Sequence, residues 1–380
     1  MQLFILMAIV YGMCSCDEIS FGDKFLGDAP EREGATLDTM FSSQVNADKV
    51  LTSAYISLPY PLVSSARMGG DVLESLTDLN YTFRNNQYYT GTMNASANGW
   101  SGGANWTIIR YAWLYLENVD RVPDMTDAFK EERKAEAKML IALAFSEMLR
   151  NLGGVPWIDH AVEVTETMNF PRATFSETVD HIVRLLDEAI PYLKWKQEEV
   201  NDGRMTKAGA MALKLRILLF AASPTFNSAT AWHSGADPYT CYGNESKERW
   251  EKAKKAGQEF MEELDANGYY DLVKPSETTH EARRLAFRKG YYERGTGETL
   301  ISIRRGYGES VHSTYFGNRY YLGPTLNYVD MFPWADGTDF PADFNWGNPS
   351  RQPFYEQVPR RVIPVCMKRL LFRAKSISTA

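Results

Sequence analysis

The chain has 380 residues, 44% of them apolar and 23% charged. That is ordinary for a globular protein, and a chain of this size buries roughly 75% of its unfolded surface, so it needs neither disulfides nor a metal to fold. A net charge of −7 argues against a nucleic-acid or anionic-lipid surface. Aromatic residues reach 13%, which makes each ring a candidate for a large core or for a binding surface.

Leu3 to Met13 is an uncharged apolar run. It is too short to span a bilayer, which takes about 20 residues, and has the form of the apolar part of a secretory signal. Small Ser15 directly before Cys16 resembles a bacterial lipobox, which makes residues 1–15 a signal peptide and Cys16 the acylated first residue of the mature chain. Asp17 and Glu18 then resemble the surface-export signal of Bacteroidetes lipoproteins. Met13 stands where leucine is usual, and the basic start of a signal is missing. Acyl chains contribute about 0.8 kcal/mol per buried methylene, so a multiply acylated Cys16 anchors a protein stably. Cys241 and Cys366 complete the cysteines after Cys14 and Cys16, with no zinc-type pairing of Cys-x-x-Cys motifs.

From Asn80 to Trp100 the chain is polar, rich in aromatics and poor in helical period. Helical stripes follow. Trp106, Ile109, Trp113 and Leu116 step by three and four, as an amphipathic helix requires. Leu140, Ala144, Met148 and Leu152 do the same, and Gly153, Gly154 and Pro156 stop that helix. Thr174 and Glu177 have capping-box spacing, with Val179, Ile182, Leu186, Ala189 and Leu193 behind them. The next stripe is Ala208, Met211, Leu215, Leu218 and Ala222, ending before Pro224. A later one is Trp250, Ala253, Gly257, Phe260 and Leu264, closed by Asn267 and Gly268. Helix pairs with small and large apolar residues interleaved predict a mainly α fold, a tetratricopeptide-like stack with long loop insertions.

These residues carry a family resemblance. Arg133 to Pro156, with its Gly-x-x-Pro ending, resembles the first repeat helix of SusD/RagB outer-membrane nutrient-binding proteins. Phe170 to Glu177 resembles the start of their next helix, Gly203 to Leu219 the following repeat, and Gly323 to Gly337 a late turn and helix. On this resemblance residues 16–358 form a SusD-like domain without its usual C-terminal lobe. Residues 359–380 hold six basic residues and no acidic one, and depart from the family. Truncation or a frameshift explains that tail, and a real basic tail is the alternative.

The resemblance implies a cell-surface glycan-binding lipoprotein of the outer membrane, which captures oligosaccharide and delivers it to a SusC-like TonB-dependent transporter. It implies no catalysis and no cofactor. Sugar rings lie with their apolar faces on Trp or Tyr, while Asn, Asp and Arg bond the hydroxyls. The candidate glycan contacts are Arg84, Asn98 and Trp100 in the first loop, with Tyr315, Tyr320 and Tyr321 before Gly323. Trp106 and Trp113 belong to the core instead, because they sit on a stripe. His160, His181, His233, His280 and His312 lie far apart without partner spacing, and none of the motifs His-Glu-x-x-His, Gly-x-Ser-x-Gly or P-loop occurs. No metal site is legible. A tetratricopeptide-like protein-interaction scaffold is the second reading, and a glycoside hydrolase, which needs only two suitably spaced carboxylates, the third.

Overall fold

The computed structural model describes residues 36–58, 80–82, 103–163, 165–230, 235–303, 322–324, 327–328 and 331. Its helices are α1 (Leu37–Met40), α2 (Gln44–Ile56), α3 (Gly103–Asn118), α4 (Asp127–Leu152), α5 (Phe175–Ala189), α6 (Lys207–Ala222), α7 (Lys247–Asn267) and α8 (His280–Tyr292). Strands β1 (Asn80–Thr82) and β2 (Leu322–Pro324) pair antiparallel. A polar N-cap starts most of these helices: Ser43, Thr126, Thr174, Thr206, Ser246 and Thr279 each accept a bond from a backbone N–H of the first turn, satisfying a donor that has no intrahelical partner. At Thr174 the reciprocal capping box is formed, with Glu177 accepting from the Thr174 N–H at 2.8 Å. Gly153, at φ 77°, ends α4, in a conformation open to residues without a Cβ.

Consecutive helices pack on one another, α2 on α3, α3 on α4, and so on to α6 on α7. The middle of the stack is α4, whose residues 139–146 are buried on every side. It is apolar there except for Ser146, whose hydroxyl donates to the Leu143 carbonyl at 2.7 Å. One turn earlier α4 carries buried charges. Glu136 is fully buried; its Oε2 accepts from the Tyr55 hydroxyl at 2.6 Å and from Arg204 Nη1 at 3.0 Å, while Arg133 holds Oε1. Arg133 Nε also donates to Asp48 at 3.1 Å, and the Met205 N–H donates to the Tyr55 oxygen at 2.9 Å. This network ties α2, α4 and the start of α6 together.

The apolar stripes read from the sequence are helices, with differences in what they bury: on α6 Leu213 and Ile217 are buried while Leu215 and Leu218 of the stripe are half-buried. On α3 the buried face is Ile108, Ile109, Ala112 and Tyr115, so the stripe is rotated from the one that periodicity marks; Trp106, Trp113 and Leu116 are half-buried against the core. Helix α3 has neighbours on two sides, α2 and α4, and its buried arc is wider than one stripe. On α7 only Ala253 and Ala256 are buried, and Trp250 is 44% exposed. That helix packs chiefly on α6, and small residues form the buried contact.

Candidate functional site

The ladder between β1 and β2 is the feature that bears on the two loops singled out in the sequence. Its register pairs Asn80 with Pro324, Tyr81 with Gly323 and Thr82 with Leu322. Paired strands lie about 4.8 Å apart. Thr82 is two residues before Arg84, and Leu322 follows Tyr321 directly. The loop after Thr82 and the loop before Leu322 are therefore tethered at adjacent points, although they are far apart in sequence. At its other end the first loop runs into α3 at Gly103. Arg84, Asn98, Trp100, Tyr315, Tyr320 and Tyr321 themselves lie outside the described residues, as do Cys16, the signal segment and the basic tail.

Most rings in the described part are engaged within the protein. Trp157 is stacked on Phe145 at 4.2 Å and on His181 at 4.3 Å, which leaves no free face for a ligand. The Trp113 indole N–H donates to the Ile158 carbonyl at 3.0 Å. Arg172 covers Tyr239, and Arg249 lies 3.5 Å from the centre of the Tyr242 ring. Burial pushes the Tyr242 phenol up to about 12.

Two of the histidines have opposite tendencies. His160 bonds Asp159 at 3.1 Å and Glu166 at 3.0 Å, and these bonds hold its pKa above the ordinary histidine value. His181 is held below it, by burial first and then by the charge of Arg184, whose Nη2 lies 2.9 Å from its Nδ1. Glu136 is buried with both oxygens bonded, to Tyr55, Arg204 and Arg133. Among the described residues no three His, Cys, Asp or Glu side chains are grouped to hold a metal ion, and no helix is long and apolar enough to cross a membrane.

A concave feature lies where the sequence showed no stripe. A groove of about 540 Å³ runs between α8 and the segment before it, lined by Val273, Lys274, Pro275, Leu285, Arg288 and Lys289 among others. The sequence signal was present but unread: Arg283, Arg284, Arg288 and Lys289 are interleaved with Leu285, Phe287 and Tyr291.

Helices stacked pair on pair, with long insertions leaving the stack, define a helical-repeat scaffold. Residues 24–219 match the SusD-like family described as starch-binding and associating with the outer membrane, and the chain belongs to that family. Among curated proteins none matches it. Solved structures show the same fold. One named BT4246 is 22% identical with a TM-score of 0.63, over 82% of this chain and 62% of its own. A SusD-like protein from Bacteroides fragilis is 18% identical with a TM-score of 0.60, over 82% and 56%. A SusD superfamily protein from Bacteroides vulgatus is 20% identical with a TM-score of 0.56, over 77% and 62%. The chain thus spans less than two thirds of the length of each.

Proposed function

We propose that this protein captures oligosaccharide at the cell surface, anchored through Cys16, and delivers it to a SusC-like TonB-dependent transporter. The match of residues 24–219 to a starch-binding, outer-membrane family carries this reading. The ladder of β1 and β2 supports the location of the site, because it draws together the start of the segment that carries Arg84, Asn98 and Trp100 and the end of the one that carries Tyr315, Tyr320 and Tyr321. In this reading Trp100 and the tyrosines at 315, 320 and 321 stack on sugar faces, and Arg84 and Asn98 bond hydroxyls.

Trp100→Ala tests it, measured twice. Stacking a sugar on an indole removes apolar area from water at roughly 25 cal/mol per Å², so loss of one such ring costs on the order of 1–3 kcal/mol of binding, about tenfold or more in affinity. The expected outcome is that loss in titrations against a polysaccharide panel, with thermal stability nearly unchanged. A core ring behaves oppositely, losing about 3–5 kcal/mol of folding stability. A stable Trp100→Ala protein with full glycan affinity removes Trp100 from the site.

A further inference from the structure

We infer that the groove beside α8 is a second saccharide site, selective for acidic sugars that carry carboxylate or sulfate. This goes beyond the capture site proposed above, and it rests on different residues. The protein as a whole carries a net charge of −7, yet this groove is cationic. Lys274, Arg288 and Lys289 line it, together with the apolar Val273, Pro275 and Leu285. Lys274 reaches Asp271 at 2.5 Å and Lys289 reaches Glu293 at 3.9 Å. Arg288, by contrast, has no acidic partner among the described residues, and it is exposed. A guanidinium is a rigid planar fork that matches carboxylate or sulfate with two parallel N–H bonds. Glu293 is the carboxylate on the lining, and Lys289 offsets it, while Asp271 and Glu298 stand behind the lining on Lys274 and the Val273 N–H and leave Arg288 as the open cation.

The walls of the groove are held in place. The Glu298 carboxylate accepts from the Val273 N–H at 2.7 Å and sits where a Cβ on Gly290 would come within 2.5 Å of it. Ala282, Ala286 and Gly290, four residues apart, form the buried face of α8. Helical spacing then puts Arg288 between the groove and the turn that bears Phe287 and Tyr291. Those two rings are 61% and 63% exposed. An acidic oligosaccharide lying along α8 therefore meets apolar surface for a ring face, an open guanidinium for its anionic group, and further rings beyond. A neutral sugar gains only the first and last of these.

The test uses the full chain and isothermal titration with three probes: oligogalacturonate, the same oligomer fully methyl-esterified, and a sulfated chondroitin oligosaccharide. The expected result is binding of at least one anionic probe and none of the ester. Arg288→Gln with Lys289→Gln should weaken that binding about tenfold, the size of losing charge-assisted bonds. Lys254→Gln with Lys255→Gln, which removes equal charge from α7, should leave it unchanged. Equal binding of the ester overturns the inference, as does failure of both anionic probes. So does equal weakening by the α7 pair, which would mean a diffuse effect of charge. Binding of neutral oligosaccharides by the α8 double variant reports separately on the capture site, so the two proposals fail independently.

Discussion

Glu136 shows what a single residue can hold together. It is a carboxylate with no solvent access, bonded to Tyr55, Arg204 and Arg133. Removing one member of a buried charged group leaves the others desolvated and unpaired, which costs about 3–5 kcal/mol. Glu136→Ala should lower unfolding stability by that amount in urea titrations, and a loss below about 1 kcal/mol would show that water enters the network. Burial also pushes the Tyr55 phenol well above its ordinary value, with Glu136 adding to the rise, so this tyrosine stays a donor throughout the stable pH range. The histidines give a separate prediction. His160 is raised by its bonds to Asp159 and Glu166, and Glu166 is lowered by its bond from His160. A raised histidine contributes stability below its unfolded value of 6.5 and loses it as pH climbs through the folded value. A lowered glutamate contributes above 4.5 and loses it as pH falls. The 159–166 clip is therefore strongest between those two values. His181 is lowered instead, and works against the folded state as pH falls. Titration by NMR should place the His160 midpoint above 6.5 and the His181 midpoint below it, and the reverse order would refute the assigned contacts.

At the scale of elements, the turn from α4 to α5 is the tightest place in the fold. A Cβ on Gly154 would come within 2.1 Å of the Ala173 carbonyl, and one on Gly153 within 2.3 Å of the Tyr239 carbonyl. Three segments meet there: the Gly154 N–H donates to Tyr239, and Arg172 donates to the carbonyls of Gly154 and Leu152. Backbone cannot retreat as a flexible side chain can. Gly154→Ala should cost about 1–3 kcal/mol or more, seen as a lower thermal midpoint with α5 still capped by Thr174. An unchanged midpoint would mean that the turn opens freely. The glycine pair, the capping box and the stop before Pro224 were legible in the sequence because each is a local device. The buried arc of α3 was not, since it depends on which helices lie on either side, and one stripe of period 3.6 records a single contact face. Helix α7 differs in the other direction: of its stripe only Ala253 is buried, while Gly257, Phe260 and Leu264 are half-buried and Trp250 is exposed.

At the scale of the whole molecule the proposed anchor would decide where the proposed site works. In the proposed arrangement Cys16 bears the only lipid, and two or more acyl chains are needed for stable attachment. Cys16→Ala should release the protein from the outer-membrane fraction into the periplasm and abolish palmitate labelling. A variant that keeps both membrane fractionation and label would refute the anchor.

Sequence by itself marked the five helices α3 to α7, the cap at Thr174, the stops at Gly153 and before Pro224, and the family resemblance, because periodicity, caps and stops depend on neighbours within a few turns of chain. It also marked the segment from Asn80 to Trp100 as unusual, since it is rich in aromatics and lacks the helical period that a core would impose, and Tyr315, Tyr320 and Tyr321 as candidate contacts. Only tertiary structure decided that β1 and β2 pair beside those segments, that Glu136 closes a charged network between α2, α4 and the segment before α6, and that α8 borders a groove lined by three cations. Each of these is a contact between residues distant in the chain, and no local pattern of polarity or spacing specifies which distant partner a side chain will meet.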